Sequence, residues 1–350
     1  MTNDFFAPKL LAWYDRYGRD LPWRHTNDPY LIWLSEIILQ QTRVVQGMPY
    51  YYRFVEAFPT VRALAAADER EVLRLWQGLG YYSRARNLHH TARQVVEEYN
   101  GVFPTTYEEL LKLNGIGPYT AAAIASFAFN EKTAVVDGNV YRVLSRIFGI
   151  ETDITTPAAK TQFTTLANEL ISGQQPAKYN HAIMDFGAIQ CVPVSPQCMF
   201  CPFSWECAAH ATGKQAQLPV KAKKTKSKER FFHYLVFERN GELALRERLQ
   251  KDVWINMFDF LLIEENKLLD WERVAQNAFL KEQLPNLTLV NESQLYTHVL
   301  SHQRIQTKFW RLKLNSDIIL PEGLRFYDYE EIDKLPKPVL VLKYLKDYTK

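Results

Sequence analysis

A strong charge of either sign is missing from this 350-residue chain: 42 lysines and arginines face 39 aspartates and glutamates, for a net charge of +3. That balance permits nucleic-acid binding but does not argue for it, so any nucleic-acid contact must be argued from where cations and backbone donors are placed. Long apolar runs are missing too. The longest uncharged stretch near mid-chain, Leu113 to Asn130, is interrupted by Gly115, Gly117 and Pro118, and its apolar part is too short to cross a bilayer. The opening Met1-Thr2-Asn3-Asp4-Phe5 lacks a basic segment followed by an apolar one, so no secretory signal is expected and the chain reads as cytoplasmic, with no membrane partner. No internal repeat is visible. Cysteine is scarce, with four residues in all, every one between Cys191 and Cys207. Four thiols within seventeen positions of a large chain argue against a disulfide framework, which suits small secreted domains, and for a single metal site.

What is present points to two domains. The length exceeds one typical domain, and 47% apolar with 23% charged residues is the composition of an ordinary soluble protein. Residues 1–213 are rich in Leu, Ala and Glu, carry helix-start signals at intervals and show little strand alternation, so the first domain is expected to be all-α. Thr60 is expected to open a helix running through Trp76, Thr106-Tyr107-Glu108-Glu109 has the form of a capping box, and Asp137 precedes an amphipathic run to Phe148. Residues 214–229 hold little apolar content and many lysines, which reads as a basic, solvated linker. Beyond it, runs such as Phe231 to Phe237 and Phe258 to Ile263 read as strands. With helical segments near Trp271 to Phe279 and at the C-terminal end, residues 230–350 form an α+β domain.

Four features carry chemistry. The cysteines Cys191, Cys198, Cys201 and Cys207 have the spacing C-x6-C-x2-C-x5-C, and four soft thiolates suit zinc or an iron–sulfur cluster, which spacing alone does not separate. In 113–124, Gly115 and Gly117 form a hairpin ahead of a helix that begins at Pro118. Glycine permits close approach of a partner, proline at the first helical position costs no needed donor, and the open N–H groups favour an anion such as a DNA phosphate. Asp137 reads as a helix N-cap whose carboxylate can also face a developing cation. Glu36 lies in Leu31 to Leu39, apolar nearly all round and therefore a buried helix. A carboxylate there must be paired, hydrogen-bonded or protonated, and desolvation raises its pKa toward the range of a general acid. Gln40, Gln41 and Thr42 are expected to end that helix and offer polar contacts.

The helix-hairpin-helix, Asp137 some twenty residues later and the cysteine pattern, in that order, resemble the endonuclease III superfamily of DNA glycosylases, and within it the adenine DNA glycosylase (MutY) family. Leu21-Pro22-Trp23-Arg24, Trp33-Leu34-Ser35-Glu36, Leu39-Gln40-Gln41-Thr42, the run Gly78 to Leu88 and Val136-Asp137-Gly138-Asn139-Val140 all resemble that family's pattern, covering the helical domain almost end to end. The resemblance implies a [4Fe-4S] cluster on the four cysteines and, as partner, double-stranded DNA in which adenine is mispaired with 8-oxoguanine or guanine, bound by a monomer. It also implies that Glu36 protonates the adenine N7 and then assists water, while Asp137 stabilises the oxocarbenium ion left on the sugar, with Asn139 orienting Asp137 or the water. Breaking a glycosidic bond needs this division of labour between an acid and a carboxylate. Tyr119 stands where strand-cutting relatives have lysine, and no lysine lies between Lys112 and Lys132, so the enzyme is expected to be monofunctional. Gln41 and Tyr81 are expected to fill or wedge the duplex after base extrusion, and Arg24 and Leu39 to line the adenine pocket.

The second domain resembles the Nudix-like domain of that family. Gly241 is followed by Glu247, but Ile255 to Phe260 lacks the Arg-Glu and paired glutamates of the Nudix hydrolase box, so pyrophosphate hydrolysis is not expected. His298-Val299-Leu300-Ser301-His302 resembles the loop that recognises 8-oxoguanine through a serine, with Leu300 in place of an aromatic residue, and assigns Ser301 and His302 to hydrogen bonding. Two rivals share these motifs: an endonuclease III-like thymine or uracil mismatch glycosylase, against which the second domain argues, and a non-catalytic iron–sulfur DNA-binding protein.

Overall fold

The computed structural model describes residues 3–171, 173, 175–222, 227–283, 287–300, 302–314 and 320–348. The chain forms two compact units, residues 1–66 with 87–223, and residues 67–86 with 224–350. The stretch 67–86, expected inside the helical domain, thus groups with the C-terminal part of the chain.

In chain order the helices before the sheet are α1 (Phe6–Tyr17), α2 (Pro29–Leu39), α3 (Val44–Ala57), α4 (Val61–Ala66), α5 (Glu69–Trp76), α6 (Ser83–Glu98), α7 (Tyr107–Leu110), α8 (Pro118–Phe129), α9 (Gly138–Phe148), α10 (Pro157–Leu170), α11 (Pro176–Asp185) and α12 (Ala208–Thr212). The single helix expected from Thr60 to Trp76 is two. The Asp68 side chain accepts a hydrogen bond from Arg70 N, starting α5 afresh two residues after α4 ends. Thr106 caps α7 by accepting from Glu109 N, the first half of the expected capping box; the reciprocal bond from Thr106 N to the Glu109 side chain is not formed. In the first unit α2 packs on α8, where Ala122 and Ala123 let Ile32 approach closely. A larger core gathers Phe6, Trp13, Phe163, Phe186 and Phe203.

The stretch expected to be a solvated linker is partly packed. Leu218 is buried in that core, its carbonyl accepts from Arg146 Nε at 3.1 Å, and the Val220 carbonyl accepts from Ile154 N at 3.0 Å. An apolar residue within a lysine-rich segment finds more favourable contacts against the core than in water. Residues 223–226 of that stretch lie outside the described residues.

The second unit is built on a mixed sheet. Its strands are β1 (Lys228–Arg239), β2 (Glu242–Glu247), β3 (Phe258–Asp259), β4 (Leu261–Glu265), β5 (Thr288–Glu292), β6 (Tyr296–Val299), β7 (Gln303–Lys313) and β8 (Arg325–Tyr327). They run in the order β3-β2-β1-β7-β5, with β4 on β1, β6 on β7 and β8 on β2. The β1–β7 pair is parallel and the others antiparallel. The strand expected from Phe258 to Ile263 breaks at Phe260, where the chain leaves β2 for β1. The helix expected near Trp271 to Phe279 is likewise two, α13 (Trp271–Val274) and α14 (Ala278–Gln283). Helices α15 (Tyr329–Lys334) and α16 (Val339–Tyr348) complete the α+β unit. Among the described residues no helix is long and apolar enough to cross a membrane.

Candidate active site

Three helix ends in the first unit build one cavity of about 880 Å3. Asp28 caps α2 by accepting from Tyr30 N at 2.8 Å, Pro29 occupies the first helical position, and Glu36 follows two turns later, only 6% exposed. The helix stops at Leu39, before the expected Gln40 to Thr42, which form a turn with Gln41 at φ 55. That turn needs one left-handed residue to redirect the chain into α3.

The hairpin ahead of α8 is braced by α6. Gln94 accepts from Asn114 N at 2.8 Å, and the Thr91 hydroxyl donates to the Asn114 carbonyl. Gly115 takes φ +75, with Asn87 Cβ 3.0 Å from where its own Cβ would stand, whereas the space before Gly117 is open. Pro118 then begins α8 and carries Tyr119 to the cavity, where its hydroxyl donates to Glu36 Oε2 at 2.6 Å. Burial pushes the Glu36 carboxyl up to about 7; the Tyr119 hydrogen bond opposes this, nearby Asp137 adds to it and Arg24 opposes it. Burial likewise raises the Tyr119 phenol well above its usual range, so it stays a donor.

Asp137 caps α9 with one carboxylate oxygen accepting from Asn139 N and Val140 N, both at 2.8 Å. The other accepts from Asn139 Nδ2 at 2.9 Å. Burial raises its pKa, against the lowering effect of these donors. Sequence reasoning missed Arg142, which donates to Asn139 Oδ1 at 2.8 Å, Gly187 O at 2.6 Å and Cys191 O at 2.8 Å, tying the Asp137–Asn139 pair to the cysteine loop. The sequence signal was a pair of arginines four positions apart, Arg142 and Arg146, on the buried face of α9. It also missed Asp185, a buried carboxylate gripped by both nitrogens of Arg24 at 2.8 Å and by Arg19, which holds it below the usual range despite burial. His181, stacked 4.0 Å from the Phe127 ring, is kept neutral by burial, with a pKa of about 3.

The cavity therefore unites Arg24, Glu36, Leu39, Gln41, Thr42, Gly117, Tyr119, Asp137 and Asn139. Gly115 stays behind it in the hairpin. Tyr81, in the second unit, is 42% exposed at φ 49, with the Arg84 guanidinium 5.6 Å from its ring. His302 immediately precedes β7 in the same unit, and Ser301 lies outside the described residues.

The four cysteines, none in a disulfide, line one small cavity of the first unit. Cys201 follows a short 3-10 turn that starts at Cys198, and Arg146 approaches Cys191 Sγ at 3.5 Å while its carbonyl accepts from the Cys207 thiol at 3.3 Å. Burial pushes the Cys201 thiol up to about 12. The four cysteines share this cavity with the Arg146 guanidinium, but among the described residues no three ligand side chains stand close enough together to hold a metal ion.

Residues 34–169 match the family model of the HhH-GPD superfamily base excision DNA repair proteins, and 233–347 that of the NUDIX domain. The adenine DNA glycosylase of Buchnera aphidicola subsp. Baizongia pistaciae is 34% identical over 86% of this chain and 84% of its own length. The rat adenine DNA glycosylase is 46% identical over 61% of this chain and 43% of its own. Among solved structures, a thermostable thymine-DNA glycosylase matches with TM-score 0.57 and 32% identity, covering 60% of this chain and 97% of that one. Endonuclease III trapped on DNA matches with TM-score 0.54 at 22% identity, a likeness of fold over 61% of this chain and 99% of that one. With its helical unit, its Nudix-like unit and a relative matched along most of both chains, the protein belongs to the adenine DNA glycosylase family of base excision repair enzymes.

Proposed function

We propose that this glycosylase binds double-stranded DNA as a monomer in the cytoplasm and removes adenine mispaired with 8-oxoguanine or guanine, with Glu36 as acid and Asp137 as the carboxylate that faces the cationic sugar. The observation that carries this reading is the buried Glu36, with its pKa near 7, sharing a cavity with a capped Asp137. At neutral pH a substantial fraction of Glu36 holds a proton. Delivering it to adenine N7 makes the base a neutral leaving group as the bond from C1′ to N9 breaks. The Asp137 carboxylate, fixed by three donors and unable to swing away, stabilises the oxocarbenium ion from a set position. Glu36, now ionised, accepts the proton of the water that adds to C1′. Asn139 holds Asp137 in register.

Tyr119 in the hairpin position supports hydrolysis without strand cleavage, because a phenol cannot form a Schiff base. The hairpin at Gly115 and Gly117 and the α8 N-terminus suit a DNA phosphate. Gln41 and Thr42 stand at the cavity mouth and Tyr81 on an exposed turn, where each would meet the opened duplex; Arg24 and Leu39 line the adenine pocket. The cysteines would hold a [4Fe-4S] cluster, which as a structural centre ties the loop 191–207 to α9 through Arg142 and Arg146. Ser301 and His302 would meet the base opposite adenine.

The test is a panel of duplexes carrying adenine opposite 8-oxoguanine, adenine opposite guanine, and thymine opposite guanine. Adenine release from the first two without strand nicking is expected; release of thymine alone would overturn the assignment. Borohydride is expected to leave the wild-type protein uncoupled from DNA, and efficient trapping would refute the monofunctional mechanism.

A further inference from the structure

A separate cavity of about 750 Å3 lies wholly in the second unit. Its shape follows from strand alternation. On one face of β1 stand Lys228, Arg230, Phe232 and Tyr234, and the last two are fully buried, so the face turns from apolar to cationic at the start of the strand. The pairing Phe232 to Glu264 on β4 and Lys228 to Gln303 on β7 brings Glu264 and Gln303 to the same end.

The floor of this cavity is already neutralised. Arg230 donates to Asp252 at 2.9 and 3.1 Å and to Glu264 at 2.7 Å twice, while Arg248 donates to Asp252 at 2.7 Å and to buried Asp259. Glu247 is engaged by Arg70 at 2.8 Å. The carboxylates that could have held a metal ion are therefore occupied by guanidinium groups. Around the rim Lys228, Arg246 and Lys251 make no close ion pair among the described residues, Arg246 interacting only at longer range with buried Asp259, against one glutamate likewise without a close ion pair, Glu322. A floor whose carboxylates are already paired, under three cations without a close ion pair, suits an anion.

Its place narrows the choice of anion. Lys228 N donates to the His302 carbonyl at 2.9 Å, and Gln303 accepts from Arg230 at 3.1 Å, so the rim runs directly into the loop after β6. We propose that the cavity receives a backbone phosphate of the DNA strand bearing the base opposite adenine, with Arg246, Lys228 and Lys251 as its contacts. The proposal rests on the reading of residues 298–302 as the segment that meets that base. A strand whose base reaches this loop carries its neighbouring phosphates past the rim.

The experiment is anisotropy titration of the full chain, across a range of salt, against duplexes in which a non-cleavable adenosine analogue faces 8-oxoguanine or guanine. Lys228→Ala, Arg246→Ala and Lys251→Ala are each expected to bind both duplexes about three- to tenfold more weakly, with the salt slope shallower by about 1, as for one lost phosphate contact. Lys228 and Lys251 are exposed, so their variants fold even where Arg246→Ala does not. Unchanged affinity and slope in the two lysine variants would overturn the proposal. If pyrophosphate then raised the melting temperature of wild type but not of Lys251→Ala, the cavity would be a free-phosphate site instead. His302→Ala tests the loop separately: that reading expects a loss of preference for 8-oxoguanine over guanine. A retained preference beside weakened binding in the lysine variants would sink the loop reading and leave the phosphate site standing.

Discussion

Glu36 is held in a state that would serve the proposed acid role at the expense of the fold. Its carboxyl titrates near 7 in the folded protein and near 4.5 as an ordinary glutamate, so folding favours the protonated form. Its contribution to stability is therefore fully present below about pH 4.5 and is lost as pH rises through about 7, a loss on the order of 3 kcal/mol for a shift of this size. Glutamine keeps an acceptor for the Tyr119 hydroxyl but has no charge to bury. Glu36→Gln is accordingly expected to abolish adenine release while melting several degrees above wild type at pH 8, with the difference vanishing near pH 4.5. In wild type the single-turnover rate should fall as pH rises past 7, as the acid form is depleted. A flat profile from pH 6 to 9, or an unstabilised glutamine variant at pH 8, would remove Glu36 from the acid role. That this glutamate is buried was readable from the apolar residues on both sides of it. That its partner is Tyr119, 83 positions away, was not.

At the scale of the element, the helix-hairpin-helix separates two uses of glycine. Gly115 adopts φ +75, and an added Cβ would stand 3.0 Å from Asn87 Cβ, so Gly115→Ala is strained and crowded at once. Gly117 has an ordinary backbone and open space before it, so alanine there fits the fold and intrudes only on a bound partner. Gly115→Ala should lose about 1–2 kcal/mol in urea unfolding. Gly117→Ala should unfold like wild type yet bind duplex DNA more weakly in anisotropy titrations. Equal binding by Gly117→Ala would detach the hairpin from DNA recognition. Helix starts such as Asp137, Pro118 and Thr106 were legible because a cap is a local event, satisfied within four residues. The breaks at Asp68 and Phe260 were not: apolar periodicity continues across both, hiding the local cap at Asp68, and at Phe260 only sheet pairing decides where the chain turns.

At the scale of the whole molecule, the cysteine loop joins sequence-distant parts of the helical unit. Cys207 immediately precedes α12, Cys191 follows α11, and Arg142 and Arg146 of α9 bind the backbone between them. Cys198→Ser is expected to lose iron, sulfide and visible absorbance together and to lower the melting temperature, because metal binding and folding of such a loop are coupled. Zinc in anaerobically purified wild-type protein, in place of iron and sulfide, would refute the cluster. By itself the sequence determined the two-part architecture, the helix caps, the grouping of the four cysteines, and Glu36 and Asp137 as the carboxylates of the proposed chemistry, since each is written in residue type and short spacing. Only the tertiary structure decided that Tyr119 touches Glu36, that Arg142 braces Asn139, that Asp185 clamps Arg24 and that Leu218 packs into the core. These depend on which helix ends converge, and burial then sets which charges are tolerated, which protons are held and which partners each buried group must find.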